Sequence, residues 1–196
     1  YTYTPLSRVN VDGSRHYQTP GGKPLPSVTT VLSALADKTA IHEWRKRVGN
    51  EEANRIMNLA TGIGTQVHLH LEKFILEEDR PTGTNLIHQM AKELSDIVID
   101  KGLSNLNECW GTEVPLYYPG LYAGTADCIG VWNGKPAMVD FKTTRKPKRR
   151  EWIDDYFLQG AAYASAHNEL YGTNIRTIVI MMIGWDAEAD NLGNYQ

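Results

Sequence analysis

Hydrophobic and polar positions change period along the chain, and the change falls near residue 110. Pro26-Ser27 precedes VTTVLSAL, which predicts a helix capped by Ser27. Residues 37–60 read as helical with an interruption near Gly49, and TGIG at 61–64 breaks the pattern. TQVHLHLEKFILEE then sets Val67, Leu71, Phe74 and Ile75 on one stripe of an amphipathic helix. A further helix is predicted over residues 84–101. Residues 1–30 read as irregular, with TPGGKPLPS marking turns.

After about residue 110 the period drops to two. GTEVPLYY, YAGTADCIGVW and KPAMVDFK predict three strands, and Asn133-Gly134 is a two-residue hairpin signal between the last two. DDYFLQGAAYASAHNELYG predicts a helix ending at Gly172. RTIVIMMIGW is wholly apolar at its centre and is expected to be a central strand covered on both faces. The order predicts a mixed α/β fold in a single domain over 1–196, with residues 1–105 mostly helical and 106–196 a sheet–helix core.

Composition excludes more than it assigns. With 41% hydrophobic and 22% charged residues the chain is ordinary for a globular domain. No apolar run approaches the length of a membrane span. No basic stretch followed by an apolar one marks a secretory leader at the start. Cys109 and Cys128 are the two cysteines, without CxxC or Cys/His spacing, so the reading is an intracellular chain with reduced thiols. Charge is more telling. Of 20 Lys and Arg, six fall between Lys142 and Arg150, leaving 14 against 23 acids elsewhere. A basic patch on an acidic background points to an anionic partner.

The hairpin brings two acids together. A two-residue turn at Asn133-Gly134 sets Trp132 opposite Lys135 and, five steps on, Asp127 opposite Asp140. Such neighbours lie roughly 5 Å apart at Cβ. Alternation puts Asp140 and Lys142 on one face and Phe141 on the other. Opposed carboxylates repel unless a cation joins them. Two uses are open from the residues alone. Lys142 can neutralise the pair as a structural salt bridge, or the carboxylates can hold a hard divalent cation beside a lysine.

These residues also carry a resemblance. GTAD followed by DFK resembles the core of the PD-(D/E)XK nuclease superfamily. LQGAAYASA, with Gln159 and Tyr163, looks like the Gln-x-x-x-Tyr helix motif of its RecB-like exonuclease branch, and GIGTQVHLHLE, with His68, looks like that branch's upstream Gly…His motif. The stretch from Tyr122 to Lys148 is especially similar to the mitochondrial genome maintenance exonuclease group and its phage-encoded relatives. The resemblance implies a restriction-endonuclease-like core, a mixed sheet flanked by helices, behind a helical N-terminal region. It implies metal-dependent hydrolysis of DNA, on single strands or from free ends, with Mg²⁺ as the ion and Mn²⁺ substituting.

By the same resemblance His68, Asp127, Asp140 and the Phe141 carbonyl are metal ligands. Lys142 is the catalytic lysine, and Gln159 and Tyr163 line the site. Glu113 holds a place where relatives often carry an acid, and Glu72 follows His68 by one turn. No iron–sulfur cluster is expected, because two cysteines cannot supply four thiolates. Relatives continue after the last strand into a helix, where this chain has the polar DAEADNLGNYQ. Localisation is expected to be intracellular: host cytoplasm for a phage protein, or mitochondrion by analogy.

Arg145, Lys146, Lys148, Arg149 and Arg150 are expected to meet phosphates, with Trp152 stacking on a base. Ser27 and Thr29 offer hydroxyls to phosphate, although capping explains Ser27 equally well. Trp44 with Arg45, Lys46 and Arg47 is a second basic candidate. Competing readings are a restriction-like endonuclease and a non-catalytic DNA-binding module.

Overall fold

A computed structural model describes residues 1–146 and 148–185. The polar C-terminal stretch lies outside the described residues. The fold is α/β, with a four-stranded mixed sheet flanked by helices, consistent with a restriction-endonuclease-like core. The chain divides into two compact units.

The first unit comprises residues 1–34, 102–141 and 149–181. It begins where the sequence reads as irregular, yet β1 (Ser7–Val11), β2 (Ser14–Gln18) and β3 (Leu25–Pro26) form a small sheet. The cause is Asp12-Gly13, a hairpin dipeptide whose φ values of 50° and 79° suit a primed two-residue turn. Helix α1 (Val28–Leu35) starts as expected, with the Thr30 amide donating to Ser27 Oγ at 3.0 Å.

The sheet core of this unit is β4 (Leu106–Tyr118), β5 (Tyr122–Trp132) and the first part of β6 (Lys135–Thr144). Asn133 and Gly134 both have positive φ, and Trp132 pairs with Lys135 as the hairpin signal requires. Helix α5 (Asp154–Tyr171) ends at the left-handed Gly172 and packs on β4 and β5. Val114, Leu116, Ala126, Ile129, Met138, Tyr163 and Ala166 fill the space between them.

Strand β7 (Thr177–Gly184) stands at the end of the order β4-β5-β6-β7 among the described residues, not at its centre. Its apolar run is mostly half-buried rather than covered on both faces. Continuous apolarity is a weaker guide to strand order than to strand type.

Of the described residues, the second unit comprises 35–101, 142–146, 148 and 182–185. It holds α2 (Thr39–Val48), α3 (Asn50–Ile75) and α4 (Leu86–Lys101). The break at Gly49 is present, but TGIG does not interrupt α3. Gly62 and Gly64 serve packing: a Cβ at Gly62 would stand 3.1 Å from the Ile87 side chain, and one at Gly64 3.1 Å from Thr143 Oγ1. Close approach offsets the helix cost of about 1 kcal/mol per glycine.

Candidate metal centre

β5 is the strand that organises the acids. On one side it pairs with β4 from Tyr118–Tyr122 through Val114–Ala126 to Thr112–Cys128 in steady register. That register sets Glu113 opposite Asp127. Their carboxylate oxygens lie within 4.8 Å of one another, the spacing two oxygens take around a shared cation. Glu113 is exposed and Asp127 half-buried. The Glu113 backbone sits in the left-handed region, φ 46°, within a strand. For a non-glycine residue this costs roughly 1–2 kcal/mol, a strain typical of functional positions.

On its other side β5 pairs with β6 down to Cys128–Val139, the residues that adjoin Asp127 and Asp140 along their strands. The Phe141 amide donates to Asp127 Oδ2 at 2.7 Å. One carboxylate oxygen is therefore fixed by backbone. Asp140 is buried at 2% exposure, and Phe141 beside it is buried too. Lys142 follows on β6, half-buried, with Phe141 alternating between it and Asp140.

Tyr163 closes the floor. It lies on α5 and is 4% exposed, and Gln159 Nε2 donates to its hydroxyl at 3.3 Å. Its ring fits because residue 124 has no side chain: a Cβ there would stand 2.6 Å from Cε1. Burial first, with added repulsion from Asp140 and Asp127, holds the phenol above its ordinary pKa. Tyr163 is thus a neutral hydroxyl facing an acidic site.

The remaining expected residues are distributed as follows. His68 is half-buried on α3, one turn before half-buried Glu72. His70 is buried. Its Nδ1 accepts from Arg80 Nε at 3.1 Å, and Arg80 also holds Asp96 at 2.7 Å and Ser95 Oγ at 2.8 Å. Burial and then Arg80 push its pKa down, so it is a neutral packing histidine.

Arg145, Lys146, Lys148, Arg149 and Arg150 are all exposed, and Trp152 is 61% exposed. Arg149 lies 5.4 Å from the Trp152 ring centre. Arg150 is engaged at the start of α5, ion-paired to Asp154 and 4.2 Å from the Phe157 ring centre. Ser27 is buried and bound to Thr30 and Thr29 hydroxyls at 2.7 and 3.0 Å, the arrangement of a cap, while Thr29 is exposed. Trp44 and Arg47 are in α2, and Arg45 there donates to Asn54 at 2.9 Å.

The donor set fits a hard divalent ion: carboxylate oxygens, two of them already close, on strands fixed by regular pairing. No family model matches the chain. The chain is 28% identical over 161 residues to mitochondrial genome maintenance exonuclease 1 of Xenopus tropicalis, covering 74% of this chain. It spans 43% of that protein's length. This similarity suggests a relationship to nucleases and is in keeping with the resemblance read from the motifs.

The partnership of Glu113 with Asp127 is what sequence reading left undecided. Its signal lay in YYPGLYAG, where a Pro-Gly turn joins strands and sets Tyr118 opposite Tyr122.

Proposed function

We propose that the chain is a metal-dependent DNA exonuclease acting on single strands, flaps or free ends. The observation that supports it best is the Glu113–Asp127 carboxylate pair across β4 and β5, with β5 the neighbour of the Asp-x-Lys strand. Similarity to an exonuclease supports the same reading.

In this proposal Asp127, Asp140 and Glu113 hold Mg²⁺ or Mn²⁺, with the imidazole of His68 and the Phe141 carbonyl completing the ligands. The bound ion supplies an acidified water and a counter-charge for the phosphoryl oxygens. The protein supplies orientation. Phe141 N–H fixes Asp127, so the carboxylate needs no reorganisation when charge develops. The Lys142 ammonium orients the attacking oxygen or stabilises the phosphorane-like charge. Tyr163 accepts from Gln159 Nε2 and, kept protonated, retains its own O–H to donate to the substrate. The exposed cations from Arg145 to Arg150 hold the phosphate backbone, with Trp152 available to a base. The protein acts inside the cell, in the cytoplasm or a mitochondrion.

The test is cleavage of end-labelled single- and double-stranded oligonucleotides with and without Mg²⁺. Metal-dependent shortening from an end is expected. Cleavage of circular single-stranded DNA would show an endonuclease instead, and binding without any metal-stimulated cleavage would show a binding module.

A further inference from the structure

The two cysteines occupy neighbouring strands, and β4 departs from regular pairing where the first of them sits. Cys109 pairs with Gly130, and a bulge follows before Gly111 pairs with Ile129. Gly130 permits this: a Cβ there would meet the Glu108 carbonyl at 2.1 Å and the Cys109 Cα at 3.2 Å. The bulged backbone thus presses onto β5. Cys109 Sγ comes to rest 4.0 Å from Cys128 Sγ. Cys109 is exposed and Cys128 is fully buried.

We propose that Cys109 and Cys128 are a modification site, a dithiol that closes reversibly to a disulfide and thereby switches the neighbouring acidic site. The oxidant is a small disulfide of the glutathione class. Cys109 thiolate attacks one sulfur of it, forming a mixed disulfide and releasing one thiolate. Cys128 sulfur then attacks Cys109 sulfur, releasing the second thiol and leaving its proton on it. The pair gives up two electrons and two protons, and the small disulfide takes both.

The division of labour follows from exposure. Only Cys109 can meet a reagent in solvent, and only Cys128 is placed to resolve the adduct from within the strand pair. A hydrogen bond from Cys128 holds Cys109 below the ordinary thiol value, at about 7, which favours the attacking thiolate. Intracellular disulfides of this kind are typically transient and redox-sensing.

Bond formation needs the sulfurs to approach from 4.0 Å to about 2.05 Å. Side-chain rotation supplies part of this and strand movement the rest. Cys128 directly follows Asp127, and Cys109 precedes Glu113 by four residues on the same strand. Closure therefore changes the spacing of that carboxylate pair. This last consequence rests on the metal-site reading, whereas disulfide formation does not.

The experiment treats the reduced chain with glutathione disulfide, then maps peptides without reduction. A single Cys109–Cys128 linked peptide and loss of both free thiols together are expected. Metal-dependent cleavage should fall by about 10²-fold, the scale of a small misplacement of catalytic groups, and return with dithiothreitol. Cys109→Ser should cleave normally and ignore the oxidant. A stable glutathione adduct on Cys109 with Cys128 still free would overturn the pairing. A mapped disulfide with unchanged cleavage would overturn the switch. If reduced protein never cleaves, the nuclease reading falls, while a mapped linkage upholds the pair and a Mn²⁺ titration of reduced and oxidised protein decides the switch, equal affinities overturning it.

Discussion

The Phe141 amide and the Asp127 carboxylate join β6 to β5 by a 2.7 Å hydrogen bond just beyond the last regular ladder pair. The bond gives Asp127 a structural duty beside its proposed ligand role, and two substitutions separate the duties. Asp127→Asn keeps an oxygen for the amide and removes the charge. Asp127→Ala removes both. Asn should leave stability near wild type and abolish metal-dependent cleavage. Ala should do the same to cleavage and in addition lower stability by about 1–3 kcal/mol, the cost of stripping a buried amide of this acceptor. Urea unfolding beside a cleavage assay reads both. Wild-type turnover by Asp127→Asn would exclude it as a ligand.

Glu113 is tested through its charge. It adds negative charge beside Asp127. Glu113→Gln should therefore raise stability of the metal-free protein by about 0.5 kcal/mol through relief of like-charge repulsion across the strands. It should also reduce the stabilisation gained on adding Mn²⁺, because a ligand bound only by the folded state stabilises in proportion to its affinity. Thermal unfolding with and without Mn²⁺ is the measurement. Equal Mn²⁺ stabilisation in both proteins would remove Glu113 from the site.

Lys142 is proposed to act on charge rather than to bind the ion. Lys142→Met keeps much of the aliphatic stem of a half-buried side chain and deletes the ammonium. Turnover should drop about 10²- to 10³-fold, the usual effect of losing one preorganised charge partner. Mn²⁺ affinity by calorimetry should be kept or rise. Lost affinity with turnover retained would reverse the assignment.

How far the site was legible depends on turn chemistry. Asn133-Gly134 fixes a register by itself, so Asp127 and Asp140 could be brought together from the sequence, and the ladder follows that register to Cys128–Val139. Asp12-Gly13 is the same kind of signal, but the flanking SRVNV and SRHYQ alternate too weakly to announce strands. Gly62 and Gly64 read as breakers because their packing partners, Ile87 and Thr143, lie far along the chain. The place of β7 at the edge of the order is likewise non-local. Local chemistry predicts elements and hairpins, while glycine contacts and strand order are set by partners that no short window contains.

His167 provides a pH test away from the acids. It is fully buried, between the rings of Trp110, Tyr171, Tyr1 and Tyr3, with centroid distances of 4.8 to 6.1 Å. Its Nε2 lies 3.1 Å from the Tyr3 hydroxyl and its Nδ1 2.8 Å from Thr173 Oγ1. Burial lowers its pKa to about 4. Because the folded value lies below the ordinary 6.5, the unfolded chain binds the proton first. This contribution is complete above pH 6.5 and is lost as pH falls toward 4. Roughly 3 kcal/mol should disappear between pH 7 and pH 4. Urea titrations at pH 7, 5.5 and 4 should show that slope, and His167→Asn, less stable at pH 7, should lack it. Parallel slopes in the two proteins would mean that other groups titrate.

The cations of the basic segment can be separated by substitution. Arg150 pairs with Asp154 and covers Phe157, so it supports the start of α5. Arg145, Lys148 and Arg149 are exposed, and Arg149 lies 3.8 Å from Glu151. If they contact a DNA backbone, each phosphate they neutralise releases counterions, and the log–log salt slope for a single strand changes by about 0.7 per contact. Replacing the three together by Ala should flatten the slope by up to about 2 units. Affinity should weaken alike for all sequences, since phosphate contacts carry no base information. Single-turnover cleavage at saturating DNA should change much less than affinity, because these side chains hold the strand and do not touch the reacting phosphate. Arg150→Ala should behave differently, leaving the slope nearly unchanged and lowering stability by about 0.5 kcal/mol. Binding of a labelled single strand across a salt series, in metal-free protein, separates the two groups. An unchanged slope in the triple variant would place the strand elsewhere, with the Trp44–Arg47 segment of α2 the next to replace.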